Sequence, residues 1–327
     1  MTSFPTRRLR RLRSNQTMRD MLAGVRLSVD ELIAPLFVRE GTGVSSPIES
    51  MPGQFQLSVD TALETVRRWA GLGLRSVLLF GIPDAKDAVG SEAWNDSAAV
   101  QRLAGEIKGA LPDMLVVTDV CLCEYTDHGH CGTLVDRDGP ADVDNDATLE
   151  SLARVAASHA RCGADIVAPS AMMDGQVQAI RSMLDADGFA DTAIMSYAVK
   201  FASALYGPFR QAAEGAPKSG DRKTYQMDYR SPLQIHPEAA QDAAEGADIL
   251  MVKPAWTYLD VIAEVRRNFD QPLAAYHVSG EFSVLHAAAD NGWIDLKGAA
   301  IEVTSAIKRA GADLIITYFA EQLAQWI

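Results

Sequence analysis

An α/β architecture, a (β/α)8 (TIM) barrel carrying an amino-terminal arm, is what this sequence predicts, on three observations. Short β-branched runs alternate with amphipathic helical stretches, eight such runs occur, and three of them follow the same tripeptide. The tripeptides are Gly163-Ala164-Asp165, Gly246-Ala247-Asp248 and Gly311-Ala312-Asp313. Glycine can end a helix in the left-handed conformation, so the repeat reads as a recurring helix-to-strand joint. The 327 residues also exceed the roughly 250 to 300 at which a single core stops growing. One large domain with an appendage fits that length, and we divide the chain into an arm, 1–30, and a catalytic barrel, 31–327.

The arm comes first. Arg7, Arg8, Arg10, Arg11 and Arg13 crowd a stretch with no apolar core, which argues against a secretory signal peptide. A solvated basic tail, an arm docked on an acidic neighbouring subunit and an organelle transit peptide all fit the arginines. The predicted strands then fall at 35–38, 76–80, 114–120, 165–170, 193–197, 248–252, 273–279 and 313–318. Helix-period stretches such as 59–70, 149–161, 259–266 and 300–310 separate them, each with apolar residues three and four apart. A doubly wound sheet uses the same alternation, yet no G-x-G-x-x-G follows a strand and no P-loop is present. In a barrel the reactive residues belong at the carboxyl ends of the strands.

Composition narrows the functional classes. A formal charge of -13 argues against a surface that coats nucleic acid, because phosphate binding needs a basic face. No apolar run reaches the roughly 18 residues of a membrane span. Four cysteines, three of them packed into one short stretch, do not make a secreted disulfide framework, so a reducing cytoplasm is expected.

The strand ends carry the chemistry. After the third strand come Cys121, Cys123 and Cys131, which can converge on one soft cation such as Zn2+ and leave a fourth corner open. A closed Cys3His site using His128 or His130 has equal support from the spacing. A redox dithiol has less, because C-x-C is not the C-x-x-C of a helix start. Lys200 and Lys253 each follow an apolar run on consecutive strands. A surface lysine extends its ammonium to water, but two at neighbouring strand ends suit Schiff-base chemistry, since desolvation and a nearby cation both favour the neutral amine. The long segment 206–226 that follows Lys200 reads as a lid whose Arg210 and Arg222 fork a substrate carboxylate. Ser279 and Tyr318, at the seventh and eighth strand ends, offer hydroxyls to a second anionic group.

With these residues in hand, the sequence closely resembles the porphobilinogen synthase (5-aminolevulinate dehydratase) family. The matching stretches include Asp119-Val120-Cys121-Leu122-Cys123, His128-Gly129-His130-Cys131-Gly132, Lys200-Phe201-Ala202-Ser203, Tyr206-Gly207-Pro208-Phe209-Arg210, Met251-Val252-Lys253-Pro254 and His277-Val278-Ser279-Gly280-Glu281. The resemblance implies condensation of two 5-aminolevulinate molecules to a pyrrole, with Lys253 forming the propionate-side Schiff base and Lys200 the acetate-side one. It implies that Arg210, Arg222 and Gln226 hold the acetate-side carboxylate, and Ser279 and Tyr318 the other. Retention of Cys121, Cys123 and Cys131 implies a zinc-dependent member, with Asp119, ahead of Asp174, as the carboxylate for proton transfer. It further implies an allosteric Mg2+ at Glu238 and a homo-octamer held by the arm. A class I aldolase would need neither three thiolates nor a second lysine. A zinc-binding scaffold would bind no substrate.

Overall fold

The computed structural model describes Pro5 and residues 7–135 and 142–327. Residues 1–4 and 6 of the predicted arm lie outside that set. The arm's described part holds a 3-10 turn, Leu9–Arg13, and a short helix, Gln16–Met21, neither with a buried residue.

Among the described residues ten strands form one sheet: β1 (Leu32–Arg39), β2 (Ser45–Pro47), β3 (Phe55–Ser58), β4 (Ser76–Ile82), β5 (Leu115–Val120), β6 (Ile166–Pro169), β7 (Ala193–Lys200), β8 (Ile249–Lys253), β9 (Leu273–His277) and β10 (Leu314–Thr317). The order is β10-β9-β8-β7-β6-β5-β4-β1, and a parallel pairing of β1 with β10 closes the ring. Near-continuous burial along β1, β4 and β7 is what a parallel sheet covered on both faces requires. Each predicted run lies on one barrel strand. The hairpin β2–β3 is additional. It docks β3 on the upper half of β1, at Phe37 to Arg39, while Leu32 and Ile33 below pair with β10.

The repeated tripeptide is a structural joint. Asp165, Asp248 and Asp313 each accept, at 2.8 Å, the backbone N–H at the start of the neighbouring strand: Val116, Ile194 and Leu273. The preceding glycines have φ of +103°, +106° and +128°. A long cationic side chain from an earlier helix crosses each one, so a Cβ would stand 3.0 Å from Lys108 Cγ at Gly163 and 2.7 Å from Arg266 Cγ at Gly311. Lys108 and Arg266 then pair with Asp165 and Asp313. These joints lie at the amino ends of the strands, the end a barrel uses for stability.

Inside the barrel, rings from β4, β1, the residue after β10, β9 and β7 follow one another. Phe80–Phe37 centroids are 5.6 Å apart, Phe37–Tyr318 6.1 Å, Tyr318–Tyr276 6.1 Å and Tyr276–Tyr197 6.2 Å. Such pairs add about 0.5–1.5 kcal/mol each beyond area burial. Among the described residues, no helix is long and apolar enough to cross a membrane.

Candidate active site

Lys200 ends β7 and Lys253 ends β8, and their Cα atoms are register partners. Both side chains are buried. Lys200 Nζ donates to the Ser170 carbonyl. Lys253 Nζ lies 4.2 Å from the Tyr276 ring centroid, 4.9 Å from Tyr197, 5.2 Å from Phe209 and 5.3 Å from Tyr206. Burial, and then the neighbouring Lys200 charge, push the Lys253 amine down to about 7. A group that ordinarily stays charged to about 10.4 is thus partly neutral at physiological pH.

Asp119 faces the same cavity, where Ser170 Oγ donates to its Oδ2 at 3.0 Å. Burial and the nearby Glu124 raise its carboxyl to about 7, against the pull of both lysines. The cavity is also lined by Phe80, Tyr206, Arg210, Arg222 and Gln226, and its volume of about 20 Å³ holds roughly one water.

Cys121, Cys123 and Cys131 are buried just past β5, and their Sγ atoms all lie within 4.8 Å of one another. Three converging thiols are a donor set for a tetrahedral, thiophilic cation. The histidines do not complete it. His130 Nδ1 meets the Tyr225 hydroxyl and Nε2 the Ser219 carbonyl, while His128 Nδ1 accepts from the His130 N–H and Nε2 meets the Ala88 carbonyl. Both rings are therefore spent on fixing loops, and the closed Cys3His arrangement loses its fourth ligand. A different group closes in: Glu124, buried, accepts from Cys123 Sγ at 3.3 Å, and burial together with Cys123 raises its carboxyl to about 8.

The predicted lid is not a structureless loop. It begins with the helix Gly207–Ala212, which carries Arg210, and continues as a strap over the cysteine loop. Arg222 is buried, and its Nη2 donates to the carbonyls of Gly129 and Gly215, one on each side of that contact. Gly129 has φ +74°, and a Cβ there would stand 2.3 Å from the Ala216 carbonyl oxygen, so only glycine lets the two segments meet. From the other side, Gln56 of β3 donates to the Ala212 carbonyl at 2.7 Å. Arg210 Nε, Arg222 Nε and both amide atoms of Gln226 are buried without hydrogen-bond partners among the described residues. The N–H donors among them, Arg210 Nε, Arg222 Nε and Gln226 Nε2, are ready for an anion, whereas Gln226 Oε1 can only accept.

Ser279 and Tyr318 follow β9 and β10 and are buried. Ser279 Oγ accepts from the Phe209 N–H at 3.0 Å, and the Tyr318 hydroxyl meets that of Tyr276 at 3.0 Å. Asp174 lies elsewhere. It is exposed and shares a separate cavity with Glu238 and Asp242, outside the one that the lysines line. Burial, then Asp174, raises the Glu238 carboxyl. Sequence reasoning did not single out Glu124, Phe80 or Tyr197. A carboxylate abutting C-x-C was the one available signal for the first.

Comparison with known proteins agrees with this geometry. The family model described as delta-aminolevulinic acid dehydratase matches residues 6–326. A delta-aminolevulinic acid dehydratase of Synechococcus elongatus is 51% identical over 324 residues, covering 99% of each chain. One from Methanothermobacter thermautotrophicus is 53% identical over 322 residues, covering 98% of this chain and 97% of its own. The Toxoplasma gondii enzyme, solved with its reaction product porphobilinogen, superposes with a TM-score of 0.95 at 42% identity, over 98% of this chain and 91% of that one. A barrel with paired lysines beside three thiols, matched over nearly its whole length in sequence and in space, belongs to the delta-aminolevulinic acid dehydratase family.

Proposed function

We propose that this chain condenses two molecules of 5-aminolevulinate to porphobilinogen with loss of two waters, supplying the pyrrole of haem and related tetrapyrroles. One observation carries the reading: two buried amines in register at adjacent strand ends, with a three-thiol cluster on the wall of the same site. Lys253 attacks the ketone of the substrate that becomes the propionate side, and Lys200 that of the acetate side. Each attack needs an uncharged amine, and the fall of Lys253 to about 7 supports that role.

Arg210, Arg222 and Gln226 receive the acetate-side carboxylate, a role supported by their unpartnered buried atoms. Ser279 and Tyr318 receive the propionate-side one. Asp119, with a carboxyl near 7 facing both amines, moves protons between the reacting carbons and water. Phe80, Tyr206 and Phe209 exclude bulk water from the cavity. The strap that includes Arg222 lines this cavity, and its opening is the route by which we have the substrates enter.

Cys121, Cys123 and Cys131 would hold Zn2+, which when bound supplies a Lewis acid beside the acetate-side substrate. Glu238 is assigned to a Mg2+, supported by Asp174 and Asp242 on the same cavity. We assign the chain to the cytoplasm and to a homo-octamer; burial of the arm against another copy is supported by Leu9, Leu12, Met21 and Leu22, which the arm leaves exposed. The test is direct: incubate the full chain with 5-aminolevulinate, zinc and reductant and look for the pyrrole. No product, or undiminished turnover in Lys253→Ala, sinks the reading.

A further inference from the structure

We infer that the ring of Tyr197 is a positioning element of this site: the common surface against which both lysines rest and the cations formed on them are held. The inference rests on the Schiff-base reading of Lys200 and Lys253 and adds a residue that reading does not use.

The placement comes from an irregularity in β7. Between Ser196↔Leu250 and Val199↔Val252 the strand advances three residues while β8 advances two. In a regular strand, residues three apart point to opposite faces. The extra residue brings the Tyr197 ring and the Lys200 amine to the same site, and bulges re-aim side chains in this way beside active sites. Tyr197 is fully buried, with Lys253 Nζ 4.9 Å and Lys200 Nζ 5.3 Å from its centroid. Lys253 has three further rings within the same reach, those of Tyr206, Phe209 and Tyr276. Among the described residues Tyr197 is the only ring near Lys200. The Tyr197 hydroxyl lies near Asp119 but makes no hydrogen bond of good geometry among the described residues, so the face of the ring carries the contact.

The chemistry asks for such a surface. Amine and ketone join through a new C–N bond, the carbonyl oxygen leaves as water, and one proton taken up from solvent leaves a positively charged iminium. Before the step the amine has to be neutral; after it a cation has to survive in a dry cavity. A carboxylate in contact would favour the cation at both stages and hold the free lysine charged. An aromatic face attracts a desolvated cation more weakly and carries no net charge.

To test this, Tyr197 is replaced by Phe and by a graded series of fluorinated phenylalanines, which keep the shape while draining charge from the ring face. Single-turnover trapping by 5-aminolevulinate and borohydride is read at each lysine by peptide mass, on zinc-loaded full-length protein. Phe should trap within about twofold of the wild type. Across the fluorinated series the Lys200 adduct should form about tenfold more slowly, while Lys253, with three other rings, changes less. A flat series overturns the inference, as does an equal decline at both lysines, which marks a packing role. A Phe variant as impaired as the most fluorinated one also overturns it, because the hydroxyl then matters. No adduct on the wild type sinks the Schiff-base reading and this inference together.

Discussion

Lys200 and Lys253 are register partners across β7 and β8, so the charge on one is felt by the other. Burial is the larger cause of the fall of Lys253 to about 7, and Lys200 is the second. The neutral, reactive amine is the form above that pKa. Borohydride trapping at Lys253 should therefore climb as pH rises through about 7. In Lys200→Met the neighbouring cation is gone, the Lys253 pKa rises toward its ordinary value, and the climb moves to higher pH. A midpoint that stays put would mean that burial acts alone.

Arg222 joins the strap to the cysteine loop through the Gly129 and Gly215 carbonyls. Hydrogen bonds from a charged donor contribute about 1.5–3 kcal/mol each. Arg222→Ala should raise KM for 5-aminolevulinate more than about tenfold and speed amide exchange in 213–219. Normal exchange there with a raised KM would leave Arg222 a carboxylate contact and nothing more.

Three converging thiols predict that metal and activity leave together. Chelation should abolish turnover and expose Cys121, Cys123 and Cys131 to thiol reagents. Cys131→Ala should lower zinc stoichiometry while the melting temperature changes little. Full activity after removal of metal would favour the aldolase-type alternative.

At the opposite end of the barrel, Asp313 bonds the Leu273 N–H and pairs with Arg266. Removing it strands a buried donor, at a cost of about 1–3 kcal/mol. Asp313→Ala should lower the melting temperature and leave kcat and KM unchanged, because no substrate contact lies at that end. A change in KM would contradict the division of labour between the two ends.

His159 and His277 are buried, and burial alone drives both down to about 3. Unfolded histidines titrate near 6.5, so between about 6.5 and 3 the unfolded chain binds more protons and stability is lost as the pH is lowered. Each contributes about 2 kcal/mol of the loss at pH 5. Neither His159 ring nitrogen has a partner among the described residues, so His159→Leu should flatten that fall in melting experiments. An unchanged pH slope would show that His159 is reached by water.

Much of this was legible in residue order. Hydrophobic runs located all eight barrel strands, and the tripeptides marked joints that the three aspartates then make. The lysines and cysteines were found by their place at strand ends. Where the reading fell short, the causes are local. The 193–197 strand continues to Lys200 because a bulge breaks the two-residue period that defines a strand in sequence. The 273–279 run stops at His277, since Ser279 already opens a helix whose Glu281 bonds the Val278 N–H. Helix starts came late: Asp144 and Asp295 cap helices from Asn145 and Leu296, upstream of the apolar periodicity. The hairpin β2–β3 is too short to show a period at all. Asp174 was read, behind Asp119, as a carboxylate for proton transfer, but it follows β6 on a stretch that turns outward through Met172, φ +63°, and Gly175.

Closure by β1 and β10 bears on how the molecule is made. As the chain leaves the ribosome, β1 emerges among the first elements and must wait with its lower edge unpaired until β10, the last strand, arrives. Tyr318 follows β10 directly, and Gln54, beside the early hairpin, bonds the Tyr318 carbonyl at 3.2 Å. A nascent protein can thus hold both amines on paired strands while Tyr318, part of the anion pocket we propose, is still missing. Competence is conferred by the same event that seals the barrel, so half-made copies have no complete seat for the substrate.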